Sequence, residues 1–173
     1  MNRLQFVFLA GIVALMPLAA HAQSPIKGPV RILIGYSDEA SYAVARLLGE
    51  SISEAVGQPV VVERKPGASG RIAAEAVKNA APDGTTLMFA PVGVTVLAPL
   101  VFANPGFDTL KDFAPIAQVA TFRYAWAVAP NHPARNVTEY VAWAKAHPAQ
   151  STYGTLGGGT VPHFFGVMIG RET

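Results

Sequence analysis

Apolar residues along this chain fall into short continuous runs, separated by stretches in which they recur every three or four positions. Val30 to Ile34, interrupted only by Arg31, is one such nearly continuous run, ending at Gly35, and Val60 to Val62 is another behind Gly57, Gln58 and Pro59. Runs of this length without polar alternation suit strands buried on both faces. Between them Val44, Leu47, Leu48, Ile52, Ala55 and Val56 share one helical face, Arg46, Glu50, Ser53 and Glu54 occupy the rest, and Gly57 supplies the stop. Ile72, Ala73, Ala76 and Val77 predict a second helix, Pro82-Asp83-Gly84 a turn, and Thr86 to Ala90 a third buried strand. Strand, helix, strand, helix, strand implies an α/β fold with a parallel sheet flanked by helices.

The alternation loosens further on. A short helix is expected over 94–102, a turn at Asn104-Pro105-Gly106, and strands over 113–120 and 124–129. Thr138 is expected to cap a helix running to about His147, with Glu139 in its first turn and Pro148 as the stop. A brief strand over 151–154 leads into Gly157-Gly158-Gly159-Thr160 and a helix from Val161 onward. Repeats, linkers and low-complexity tracts are absent from the sequence.

Composition changes this picture at the N-terminus. Hydrophobic residues make up 51% and charged residues 14% of the 173, a balance that a membrane protein would also show. Arg3, an uncharged run from Phe6 to Ala20, and the small residues of Ala20-His21-Ala22 instead form an export signal with cleavage expected after Ala22. The run is shorter than the ~18–20 residues of a membrane span, and Pro17 interrupts it. Residues 1–22 are therefore set aside as signal peptide, and the absence of cysteine suits the bacterial periplasm. The 13 basic and 11 acidic residues are scattered, so no stripe exists to hold a phosphate backbone, and nucleic acid is excluded as a partner.

In open parallel sheets, ligands gather beyond the C-terminal ends of the strands. That selects the loops 35–41, 65–70 and 91–94, together with 155–160 before the last helix. Small residues and unpaired N–H groups at such loops favour an anion, and a carboxylate fits. Cofactor readings fail: G-x-G-x-x-G spacing from Gly157 meets Pro162, and no Lys-Ser or Lys-Thr follows the glycines. A metal site lacks ligand spacing, and Gly67-Ala68-Ser69-Gly70 lacks the spacing of a nucleophile elbow. His132 and His147 read as structural, while His163 either reaches a ligand or orders the glycine loop. Asp38 and Glu39 read as a capping pair on the following helix, with contact to a cationic group as the alternative.

Motifs in order along the chain are similar to a known family. They include Lys27-Gly28-Pro29-Val30-Arg31-Ile32 before Gly35-Tyr36, then Ala45-Arg46-Leu47-Leu48, and Gly57-Gln58-Pro59-Val60-Val61-Val62-Glu63. Lys65-Pro66-Gly67-Ala68-Ser69-Gly70, Ala80-Ala81-Pro82-Asp83-Gly84-Thr85-Thr86-Leu87, Phe107-Asp108, and Lys111-Asp112-Phe113-Ala114-Pro115-Ile116 follow. Thr152-Tyr153-Gly154, Gly158-Gly159-Thr160, Pro162 and His163 complete the set. The chain resembles the periplasmic solute-binding proteins of tripartite tricarboxylate transporters, also called the Bug family.

That resemblance implies a two-lobed periplasmic-binding-protein-like fold of type II, with parallel-rich sheets, and a function in capture rather than catalysis. It implies a small carboxylate as ligand, a dicarboxylate, an aromatic acid or an acidic amino acid, delivered to membrane permease subunits by a monomer. By position it assigns ligand contacts to Tyr36, Ser37, Ser41, Gly93, Gly158, Gly159, Thr160 and His163. Where the family has glycines and an Asp, this chain carries Asp38, Glu39 and, at the Asp position, Tyr42. Family members are about twice as long, so residues 23–123 are expected to supply the N-terminal part, most of the first lobe, and 124–173 the incomplete start of a second one. A ligand sensor for a membrane signalling protein, and a truncated copy without binding activity, are the rival expectations.

Overall fold

The structure is a computed structural model and describes residues 26–172. The expected signal and its cleavage point lie outside the described residues. Strand β1 (Val30–Ile34) sits between β2 (Val60–Arg64) and β3 (Thr86–Phe89), and both pairings are parallel. Val30 pairs with Val60 and Ile34 with Arg64 on one side, while Arg31 pairs with Thr86 and Ile34 with Phe89 on the other. The central strand is apolar but for Arg31, which is exposed and paired with Glu63, because it has a neighbour at each edge and helices over its faces. Ile32, Leu33 and Ile34 are fully buried.

Helix α1 (Glu39–Val56) connects β1 to β2, and α2 (Arg71–Lys78) connects β2 to β3. Two clusters form the core. Ile32, Ile34 and Ala45 pack with Tyr42, Leu48, Ile52 and Val60, whereas Ala74, Val94, Ala98 and Phe107 pack with Tyr36, Met88 and Phe102. The buried residues of α1 are Ala45 and Gly49; of the expected apolar face, Leu48 and Ile52 pack beside them on the sheet, while Val44 and Leu47 are exposed. A Cβ on Gly49 would stand 3.2 Å from Val60 Cγ1, so the small residues are what let the helix lie down on β2.

After β3 a wide turn (Gly93–Leu97) runs into α3 (Ala98–Val101), matching the expected helix over 94–102. A short helix that the pattern does not predict, α4 (Thr109–Asp112), follows; Asp108 accepts from the Leu110 and Lys111 N–H groups, and Lys78 holds Asp112 at 2.9 Å. Helix α5 (Val137–Ala146) and α6 (Val161–Glu172) form where expected. The cap of α5 is Asn136 rather than Thr138. Its Oδ1 accepts from the Glu139 N–H at 2.9 Å, and the Glu139 carboxylate reaches back to the Arg135 N–H at 2.7 Å, a near-reciprocal capping arrangement.

The strands expected over 113–120, 124–129 and 151–154 do not form. A strand is defined by ladder bonds to a neighbour, and none of these segments pairs with the sheet. Several of their apolar side chains, Ile116, Val119 and Val128 among them, stand exposed. Apolar content without a partner edge leaves irregular chain rather than a strand.

Candidate functional site

Three of the candidate loops leave the C-terminal ends of the parallel strands, and the fourth precedes α6. Asp38 ends the first loop by accepting the Ser41 N–H at 2.7 Å, so it caps α1 as expected. Glu39 turns outward, and both its carboxylate oxygens accept from Arg64 Nη2, at 2.9 and 2.8 Å. Neither carboxylate faces the loop cluster unpaired. Asp38→Ala should therefore cost about 1 kcal/mol in urea denaturation, while Asp38→Asn, which keeps an acceptor, should stay within a few tenths.

Tyr36 is the hub. Its hydroxyl donates to the Ser69 carbonyl at 3.2 Å, and a Cβ built on Gly93 would stand 3.8 Å from that oxygen. Its ring also lies against Gly70, so one side chain touches the loops after β1, β2 and β3. Burial, with smaller contributions from Tyr124 and Asp38, pushes the Tyr36 phenol above its ordinary range. The hydroxyl keeps its proton and remains a donor.

The fourth loop joins through Ser69, whose hydroxyl donates to the Gly158 carbonyl at 2.9 Å. Ser69 holds φ 56° and ψ 37°, the left-handed region that non-glycine residues seldom occupy. The glycine loop has its own supports. Thr160, buried, donates its hydroxyl to the Gly157 carbonyl at 2.7 Å, and the Gly159 N–H donates to His163 Nδ1 at 3.3 Å. With Nδ1 accepting, the proton of the neutral imidazole sits on Nε2. Gly159 (φ +78°) packs on Phe102, and a Cβ there would stand 2.8 Å from Cζ. Glycine satisfies the conformation and the contact together.

Of the residues the sequence assigns to the site, Tyr36, Gly93, Gly158, Gly159, Thr160 and His163 are thus brought to one cluster. Ser37 is exposed, and the Ser41 N–H is spent on the cap. The assignment omits Ser69, which bridges the cluster; its signal was the Gly67-Ala68-Ser69-Gly70 turn. His132 Nδ1 accepts from the Ala134 N–H at 3.1 Å, and the His147 ring stacks on Trp143 at 4.9 Å. Both histidines hold local structure. A separate groove of about 610 Å³ runs between α1 and the outer edge of β2, lined by residues including Tyr42, Arg46, Glu50 and Glu54. Arg46 and Glu50 lie 3.5 Å apart as an exposed pair, and none of the loop-cluster residues lines the groove, so it is not the candidate site. No group of three or more metal-ligating side chains occurs among the described residues.

A parallel sheet flanked by helices, with glycine-rich loops converging near the strand ends, is an open α/β architecture, and solved periplasmic binding proteins share it. A family model described as the tripartite tricarboxylate transporter family receptor, TctC, matches residues 44–169. A UPF0065 protein in the gbd 5' region of Cupriavidus necator is 36% identical over 172 residues, covering 94% of this chain and 52% of that relative. Among solved structures, periplasmic binding protein BugD aligns with TM-score 0.69 and 26% identity, covering 84% of this chain and 49% of that one. R. palustris Rpa4515 with adipate aligns with TM-score 0.71 and 27% identity, covering 78% and 45%. The chain belongs to the TctC family of tripartite tricarboxylate transporter receptors. It spans about half the length of the curated relatives it matches. The family and its solved neighbours are solute-binding proteins, not enzymes. Among the described residues no helix is long and apolar enough to cross a membrane.

Proposed function

We propose that this chain is the capture component, or part of one, of a tripartite tricarboxylate-type transporter, holding a small carboxylate in the periplasm for permease subunits. The carrying observation is the convergence of loops after β1, β2 and β3 with the Gly157–Thr160 loop around Tyr36 and Ser69. The cluster is built of backbone groups and neutral hydroxyls, with no nucleophile held against an oriented base, which supports capture over catalysis. Adipate in the Rpa4515 structure supports the dicarboxylate class. On this reading residues 23–123 form the first wall of the cleft and residues from 124 open the second, and the protein reaches the periplasm by cleavage after Ala22.

The test is a thermal-shift and calorimetric titration of the exported protein with adipate, malate, benzoate and glutamate. A ligand at 100 times its Kd adds about 2.7 kcal/mol of stability, which for a chain of this size raises Tm by roughly 5–10 °C. One acid should do so saturably while a neutral amide analogue does not. Flat melting curves for every acid in a folded sample would overturn the reading.

A further inference from the structure

The peptide between Gly158 and Gly159 is held at both ends. Its carbonyl accepts the Ser69 hydroxyl at 2.9 Å, and its N–H donates to His163 Nδ1 at 3.3 Å. In a trans peptide these two groups point in opposite directions, so Ser69 and His163 grip one rigid plane from opposite sides. Ser69 comes from a turn 89 residues earlier in the chain, and its own carbonyl is fixed by the Tyr36 hydroxyl. His163 lies in the first turn of α6, and its carbonyl in turn accepts from the Tyr153 hydroxyl at 3.3 Å.

We infer that Ser69 and His163 are positioning residues that clamp the Gly158–Gly159 peptide and so set which of its groups the cleft presents. The inference rests on the capture reading for its purpose, since a carboxylate can use the Gly159 N–H only by displacing the imidazole. His163 is then a resident acceptor that an arriving anion replaces, not a ligand-contacting donor. Ser69 keeps the carbonyl, which would repel an anion, turned toward the β2 loop. Backbone conformation at Ser69 serves the same end: φ 56° aims the hydroxyl across to the glycine loop, and Tyr36 keeps it there.

The experiment is amide exchange by NMR on the ¹⁵N-labelled exported protein without any acid present, in wild type, Ser69→Gly, His163→Ala and the double variant. Glycine suits the left-handed turn better than serine, so Ser69→Gly removes the hydroxyl while relieving backbone strain. Each single variant should speed exchange at Gly159 about fivefold and leave α2 amides unchanged. Because both residues hold one peptide, the double variant should exchange no faster than about the singles rather than at their product. The wild-type imidazole should show the Nε2–H tautomer by its ¹⁵N shifts, and Ser69→Gly should mix the tautomers although it does not touch the ring. Unchanged exchange in either single variant, or strictly multiplicative effects, would overturn the clamp. The acid titration decides capture separately, so failure of one reading is visible without the other.

Discussion

Gly35→Ala should destabilise the protein by about 3 kcal/mol, lowering the urea midpoint without changing the slope of the transition. Gly35 ends β1 and is buried, and a Cβ built on it would lie 2.5 Å from Gly70 Cα and 2.9 Å from the Gly70 carbonyl oxygen. Both obstructing atoms are backbone, so no side-chain rotation relieves the overlap, and the β1 and β2 loops must part. That separation would also pull Ser69, next to Gly70, away from the Tyr36 hydroxyl that now reaches its carbonyl at 3.2 Å. A control isolates sterics from the general effect of replacing glycine. Gly154 has nothing within 4 Å of an added Cβ, and Gly154→Ala should stay within ~0.5 kcal/mol of wild type. Equal stability of the two variants would show that the loops can separate freely, and would remove the close backbone approach as the support of the cluster.

The contact between Gly35 and Gly70 marks how far the sequence can be read. The order β1, α1, β2, α2, β3 was legible because continuous apolar runs and helical spacing are local signals. The first three loops of the cluster followed from the topology, since parallel strands put their C-terminal ends on one side. What local pattern cannot carry is pairing at a distance. The hydrogen bond from Ser69 to Gly158 crosses 89 positions, and nothing in either segment names the other. The segments 113–120 and 124–129 failed in the opposite sense. Their residues have strand character, but a strand also needs a neighbour's free backbone groups, and among the described residues none is paired with them. At α5 the error was smaller. Asn136 and Thr138 are both good caps, and Glu139 completes the arrangement only with Asn136, three residues before it.

Ile32→Ala and Leu47→Ala should separate by several kcal/mol, although spacing alone places both side chains in the core. Ile32 is 1% exposed in the central strand, among Ile34, Ala45 and the partly buried Leu48, Ile52, Val60 and Leu87. Its removal leaves a cavity walled by two strands and α1, none free to collapse, and the expected loss is about 4 kcal/mol in chemical denaturation. Leu47 is 65% exposed, and Leu47→Ala should change stability by less than ~0.5 kcal/mol. The difference arises from residues that a hydrophobicity pattern weighs little. Ala45 and Gly49 are small enough for α1 to settle on β1 and β2, and a Cβ on Gly49 would already meet Ile32 Cδ1 at 3.7 Å and Val60 Cγ1 at 3.2 Å. Their row, two positions behind Leu47 and two ahead, turns the helix so that Leu47 points away from the sheet. If Leu47→Ala instead cost as much as Ile32→Ala, the helix would be seated on its larger side chains. Gly49→Ala, which meets Val60 in the present packing, would then be tolerated, so measuring all three variants decides which face of α1 carries the fold.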